Sequence, residues 1–510
     1  MPAKVFSAGL HGIDAYVVEV EADRGFAARQ EMVILGLPDA AVKESRERVR
    51  TSVENCNYEF PLGQVVVNLA PADTRKEGPA FDLPISLASL IMAGQIETEE
   101  ADQFVSVGEL ALDGRVRPVR GCLCIALACR KDGIKGLILP KENAAEAAVV
   151  EGVDVYPVET LPEAVGVLTG QERPEPFQLD IDEIFREASD NDLDFIDVRG
   201  QEHVKRALLV AAAGAHNILM IGPPGSGKTM LSKRLSTILP PLSLDESLET
   251  TRIHSVAGLL NTGQSLIATR PFRSPHHTIS NIAMVGGGTA LRPGEVSMAH
   301  KGVLFMDELP EFQRNTLEVL RQPVETGTIT ISRASGTVEY PSEIMLVGAM
   351  NPCPCGYFTD PKRECKCSDF TIQHYISRVS GPLLDRIDIH VEVPAVDFES
   401  LSGEKTGPTS SEYGECVRQA RSIQLERFGS PVTTNATMSG NDVEANCVLD
   451  ADCSTLLRQA MENMGLSARA YTRILKVART IADLEGSQEI QIEHLSEAIQ
   501  YRSLDRLMGN

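Results

Sequence analysis

The sequence predicts an α/β protein built around a parallel sheet that carries a phosphate-binding loop. A separate α+β unit precedes it and a helical unit follows. Three observations carry this prediction. First, Gly222-Pro223-Pro224-Gly225-Ser226-Gly227-Lys228-Thr229 has the G-x-x-x-x-G-K-[ST] spacing, between an apolar run at 217–221 and a helix-like segment at 230–239. Second, another apolar run further along ends in Asp307-Glu308. Third, the C-terminal part repeats apolar residues at helical period: Leu456, Leu457, Ala460, Met461 and Met464 fit one face, and Ile474, Leu475, Val477, Ala478 and Ile481 another.

The loop's chemistry follows from its residue types. Glycines let the backbone wrap a phosphate so that N–H groups point inward, and the following helix N-terminus adds partial positive charge. Lys228 can reach the outer phosphates, and the Thr229 hydroxyl can hold Mg²⁺. ATP with Mg²⁺ is therefore the expected cofactor pair. A chance glycine loop would lack the strand before it and the helix after it.

Composition bounds the rest. A chain of 510 residues holds two to four domains, and 43% hydrophobic residues suffice for a sizeable core. No apolar run reaches the roughly 18 residues of a membrane helix; the longest, 207–221, is broken by Gly214, His216 and Asn217. The opening Met-Pro-Ala-Lys lacks a signal-peptide apolar segment, so a cytoplasmic protein without membrane contact is expected. Eleven cysteines in a chain this long do not read as a disulfide framework. The net charge of −23 argues by itself against nucleic acid. Its distribution weakens that objection: residues 252–394 carry 13 Lys+Arg against 14 Asp+Glu, so nearly all the negative charge lies on the flanks. A ring of such chains could present a basic channel and an acidic exterior. The plainer reading is solvated surface charge.

Along the chain, residues 1–170 form a first unit with strand alternation at 15–20 and 64–69 and helical runs at 83–93 and 123–130. An acidic, polar linker spans 171–196, the α/β core 197–395, a flexible connection 396–412 and the helical unit 413–510.

Around the loop a constellation is expected. The Asp307 strand would lie beside the loop's strand, with Asp307 reaching Mg²⁺ and Glu308 polarising the attacking water. The strand 344–351 ends in Asn351, which could orient that water, or serve as a turn residue before Pro352. Arg386, in Gly381-Pro-Leu-Leu-Asp-Arg386-Ile-Asp388, could stabilise transition-state charge in a neighbouring subunit, or form a surface salt bridge. Arg469 starts a helix in the last unit and could fold onto the γ-phosphate; Arg473 lies one turn away. Two C-x-C pairs, Cys353/Cys355 and Cys365/Cys367, could close a tetrahedral structural zinc site, or remain free or redox thiols.

The order of these elements resembles an AAA+ ATPase. The stretches 270–280, 286–288, 293–302 and Ala349-Met-Asn-Pro-Cys-Pro-Cys-Gly356 resemble the YifB/ComM family of magnesium-chelatase-like AAA+ proteins over nearly the whole chain. The resemblance implies the roles above for Lys228, Thr229, Asp307, Glu308, Asn351, Arg386 and Arg469, with 413–510 as a helical lid. It also implies inserted hairpins, one of them 325–340 with its turn near Gly336, facing a ring's pore. Arg333 near that tip, then Arg273 in the 273–277 loop, are the candidate nucleic-acid contacts; His276 and His277 contact a ligand or simply order that loop. The segment 76–83, with 114–119 and 133–140, resembles a Lon-protease or ribosomal-S5-like domain. Ala80 and Leu123 stand where its serine and lysine would be, which implies a binding or assembly platform rather than a protease.

As a function, the resemblance implies a homo-hexameric, ATP-driven motor on branched or single-stranded DNA, acting by branch migration or unwinding in recombination and natural transformation. The alternatives are the ATPase subunit of a magnesium-insertion complex and a nucleotide-gated scaffold without motor activity.

Overall fold

The computed structural model describes residues 2–27, 31–187, 193–261, 263–288, 291–333, 336–358, 360, 363–396 and 407–505. Much of the connection 396–412 and part of the linker 171–196 lie outside these residues, as do 334–335 at the turn of the hairpin 325–340. Two compact units emerge: 1–187 with 244–268, and 188–243 with 269–510.

The first unit is built on a mixed sheet. Its strands are β1 (Ala3–His11), β2 (Asp14–Arg24), β3 (Glu31–Leu35), β4 (Gln64–Ala70) and β5 (Phe104–Ser106). A small hairpin of β6 (Glu109–Leu110) and β7 (Val116–Arg117) follows, then β8 (Gly136–Pro140) and β9 (Asp154–Val158). The sheet order is β3-β4-β2-β1-β5-β8-β9. β4 alternates buried and half-buried residues, as its sequence pattern requires. The helices Asp82–Ala93 and Cys122–Asp132 match the expected helical runs. Helix Ile181–Glu187 lies in what reads as linker in the sequence.

Residues 244–268 lie inside the α/β span of the sequence, yet they belong to this first unit. Their helix, Leu244–Ala257, places Ser255 on the buried Glu146 carboxylate and Arg252 on Asp14 at 2.6 Å. Glu146 also accepts the Leu123 N–H at 2.9 Å, so its oxygens are satisfied without solvent.

The second unit holds a five-stranded parallel sheet. Its strands are β10 (Ile218–Ile221) and β11 (Phe272–Arg273), then, after the small hairpin β12 (Gly286–Gly287) and β13 (Arg292–Pro293), β14 (Val303–Met306). The hairpin β15 (Thr328–Arg333) and β16 (Gly336–Pro341) precedes β17 (Met345–Met350) and β18 (Ile389–Glu392). The order is β11-β14-β17-β10-β18, all parallel. The sequence reading put the Asp307 strand beside the loop's strand; instead β17 lies between them. β10, β14 and β17 are buried along their whole length, as continuous apolar strands in a parallel sheet must be.

Helix Glu202–Gly214 packs against helices Ser410–Phe428 and Ala468–Leu484, joining sheet and helical unit in one core. Ile474, Leu475, Val477, Ala478 and Ile481 are all buried there, the face their spacing predicts. Leu457 is buried on helix Ala451–Met464, whose other predicted apolar positions are half-buried. No described helix is long and apolar enough to cross a membrane.

Candidate functional site

Parallel strands bring their C-terminal ends to one edge of a sheet, and here three ends carry the expected groups. β10 leads into the phosphate loop, β14 into Asp307-Glu308, and β17 into Asn351. Gly222 shows why the loop starts with glycine. Its backbone passes so close to β18 that a Cβ there would lie 2.1 Å from the Val393 carbonyl oxygen. The loop ends at Gly227, and helix Lys228–Leu235 begins.

Lys228 turns back along the loop. Its ammonium donates to the carbonyls of Gly222 at 2.7 Å and Pro223 at 2.9 Å, and lies 3.3 Å from Asn351 Oδ1. Burial pulls this ammonium down to about 8, against the opposing pull of the Asp307 and Glu308 carboxylates. The Thr229 hydroxyl donates to Asp307 Oδ2 at 2.8 Å, across 78 residues of sequence. Asp307 Oδ1 accepts the Glu308 N–H at 2.9 Å. Glu308 adopts left-handed backbone, φ 51°, which costs a non-glycine residue about 1–2 kcal/mol. That strain sits at the second of two adjacent acids beside the phosphate loop. The structure thus gathers Lys228, Thr229, Asp307 and Asn351 through direct contacts, with the exposed Glu308 carboxylate beside them.

One neighbour was not resolved by sequence reasoning. His277 Nδ1 lies 3.4 Å from Glu308 Oε2. Its ring packs against His276 at 4.1 Å between centroids and edge-on to Phe312. The Ser-Pro-His-His loop follows β11, and the parallel β11–β14 pairing delivers it to the acid pair. The histidine pair was visible in the sequence; its target was not.

The arginines separate clearly. Arg386, read as either a neighbour's charge donor or a salt-bridged surface residue, is ion-paired and largely buried rather than on the surface. Its guanidinium binds the Glu325 carboxylate and donates to the Pro382 carbonyl at 2.7 Å. A role in another subunit requires the Glu325 pair to open. Arg473 is committed to Asp388, whose side chain is wholly buried. Desolvation raises the Asp388 carboxyl, but Arg473 and His216 outweigh it and hold it well below the usual range. Arg469 has 63% side-chain exposure and only a 3.7 Å approach to Asp385. Of these two neighbours, Arg469 is therefore the one available to a ligand.

Arg333 pairs with Gly336 at the outer end of the β15–β16 hairpin and is exposed. The hairpin is anchored by the Tyr340 hydroxyl, which donates to the Leu291 carbonyl at 2.7 Å. Arg273 is clamped in a two-point ion pair with Glu295, both contacts at 2.7 Å. In this structure it braces its loop, and contact with a nucleic acid would have to share or open the Glu295 pair.

Cys353, Cys355, Cys365 and Cys367 converge so that their sulfurs all lie within 4.8 Å of one another. The Cys353–Cys355 separation is 3.3 Å, Cys353–Cys365 3.7 Å and Cys355–Cys365 3.6 Å. Backbone N–H groups of Lys366 and Tyr357 aimed at Cys355 pull that thiol down to about 6. The other cysteines noted together, Cys122, Cys124 and Cys129, are buried in the first unit.

Three family models match: "Magnesium chelatase, subunit ChlI" over 194–401, "Subunit ChlI of Mg-chelatase" over 18–143 and "Magnesium chelatase, subunit ChlI C-terminal" over 407–502. The chain is 43% identical to competence protein ComM of Haemophilus influenzae, covering 99% of this chain and 98% of that one. It is 42% identical to the uncharacterized protein YifB of Escherichia coli, over 96% and 94%. The magnesium-chelatase 38 kDa subunit of Rhodobacter capsulatus is 25% identical over 31% of this chain and 50% of its own.

Proposed function

The chain belongs to the YifB/ComM family of magnesium-chelatase-like AAA+ proteins, and from that premise we propose that it hydrolyses ATP to drive a ring motor on DNA. The observation that carries the ATPase reading is the Thr229–Asp307 contact at 2.8 Å beside Lys228 and Glu308. Hydroxyl and carboxylate oxygens are the donors that Mg²⁺ prefers, so Thr229 and Asp307 fit as its holders. When bound, Mg²⁺ neutralises charge on the phosphate oxygens.

The remaining work falls to side chains. The backbone N–H groups of Gly225 and Gly227, with Lys228, bind the phosphates of ATP. Glu308 orients the attacking water and accepts its proton, while His277 steers that carboxylate. Asn351, between β10 and β14, positions the same water. Arg469 from the lid meets the γ-phosphate, and Arg386, once released from Glu325, supplies charge to the next protomer's site in a homo-hexamer. Arg333 contacts DNA phosphates from the hairpin. The four cysteines hold a structural zinc ion.

DNA as the partner rests on the full-length likeness to a competence protein. The magnesium-insertion alternative has behind it the chelatase-subunit family models and the shorter likenesses to chelatase subunits, such as 25% identity over 31% of this chain. The ATPase reading is tested by Glu308→Gln. The variant should bind ATP as tightly as the parent while turnover falls about 10²- to 10⁴-fold, the worth of a positioned general base. Near-parental turnover would remove Glu308 from the chemistry.

A further inference from the structure

The four-cysteine knuckle lies against the phosphate loop. Gly356, one residue past Cys355, packs so tightly on Pro224 that a Cβ at position 356 would meet Pro224 Cδ at 2.4 Å. The segment leaves the sheet at Asn351, whose side chain lies 3.3 Å from the Lys228 ammonium. It returns through helix Asp369–Ile376, where the Tyr375 hydroxyl meets the Asn351 backbone. Both ends of the excursion are thus tied to the residue that touches Lys228.

What fixes the excursion itself is the difficulty. Among its described residues, 352–367 contain no helix or strand, and of the four cysteines only Cys353 is fully buried. Its internal bonds include Gly356 N–H to Cys353 O at 2.9 Å, Asp360 N–H to Tyr357 O at 3.2 Å, Arg363 N–H to Asp360 Oδ1 at 3.0 Å and Arg363 to the Tyr357 hydroxyl at 2.6 Å. Among its described residues only Cys353 and Gly356 are buried, so little apolar packing orders the loop. The cysteines supply a staple instead. Zinc–sulfur bonds of about 2.3 Å place the sulfurs of a tetrahedral site about 3.7 Å apart, close to the 3.3–3.7 Å separations among Cys353, Cys355 and Cys365, with Cys367 within 4.8 Å of the others.

We propose that one zinc ion, held by Cys353, Cys355, Cys365 and Cys367, props the phosphate loop through Gly356 and Pro224, so that zinc occupancy sets the affinity for ATP. The inference rests on the ATP and zinc readings above but extends them. A metal remote from the phosphates becomes a control point for nucleotide binding, with no part in hydrolysis. The direction follows from preorganisation. Without the metal the knuckle loosens, Pro224 and Asn351 lose their backing, and the loop must be ordered by the nucleotide itself.

The test uses purified full-length protein prepared without chelator, metal analysis by mass spectrometry, and equilibrium binding of a fluorescent ATP analogue. The parent should hold about one zinc per chain, as four thiolates closing one site require. The double variant Cys365→Ser/Cys367→Ser should lose the metal and bind the analogue about tenfold or more weakly, as small misplacements of a site do. Gly356→Ala should keep its zinc yet weaken binding similarly, which separates loop support from global folding. Parent protein stripped of zinc should lose affinity and regain it on adding Zn²⁺. A zinc-free parent, unchanged affinity after stripping, or unchanged affinity in Gly356→Ala would overturn the proposal. Because binding is read directly, these outcomes stand even if Glu308→Gln shows that hydrolysis was misassigned.

Discussion

Two pairs of acids, one in each unit, show opposite uses of a carboxylate. In the first unit, Asp82 is fully buried and engages Arg48, Ser45 and the Leu110 N–H. Glu146 is equally enclosed by Ser255, Asn143 and the Leu123 N–H. Desolvation raises both carboxyls, and the surrounding donors counter it. In the second unit, Asp307 and Glu308 stand at a strand end with few partners. Asp307 meets Thr229 and a backbone N–H, and Glu308 faces His277 from an exposed position. A saturated acid can only hold structure; an acid with open lone pairs at a convergence of cations can do chemistry. The first unit's two acids are thus closed off, and those of the second are the ones left open to a ligand.

The contrast breaks most visibly at Asp82. Asp82→Ala leaves the Arg48 guanidinium without its buried partner and should cost about 3 kcal/mol of stability. Thermal unfolding measures the loss, and ATP turnover per folded molecule should stay at the parental level. A fall in turnover would show that the first unit takes part in hydrolysis.

The same logic divides neighbouring arginines within the second unit. Arg473→Ala strands the buried Asp388 and should also destabilise by about 3 kcal/mol. Arg469→Ala should change stability by less than about 0.5 kcal/mol, as surface substitutions do. Its effect belongs in the kinetics instead: ATP turnover should drop about tenfold or more, in the range of a lost transition-state donor. The reverse pattern in melting and turnover assays would exchange their roles.

The smallest expected change concerns the hairpin. Arg333→Ala should leave basal ATP turnover within about twofold, because an exposed side chain away from the phosphates contributes little there. Only the response of turnover to added DNA should shrink, with a shallower salt dependence of DNA binding. An undiminished response would take the β15–β16 hairpin out of the DNA path.

Local spacing made much of the second unit legible. The phosphate loop, the acids after β14, Asn351 after β17 and the helical faces at 456–464 and 474–481 are all encoded within short windows. Pairings across long stretches were not legible. The sequence leaves Arg386 open between a neighbour's charge donor and a salt-bridged residue until Glu325, 61 residues away, closes on it. Arg273 reads as a contact residue until Glu295 occupies its fork. The strand order that inserts β17 between β10 and β14 depends on register across the whole sheet, which no window of residues encodes. The same holds for 244–268: its helix carries an ordinary periodicity, and contacts such as Ser255–Glu146, Arg252–Asp14 and Leu248 against the first unit's core place it in the first unit. The cysteine spacing suggested a metal site, while its proximity to Pro224 appears only in three dimensions.

The most direct trial of a DNA motor is ATP turnover by the purified chain with branched, single-stranded and duplex DNA, and with none. The account predicts measurable basal hydrolysis that rises when DNA is added, most with the branched form. Hydrolysis that is identical with and without every form of DNA would contradict it.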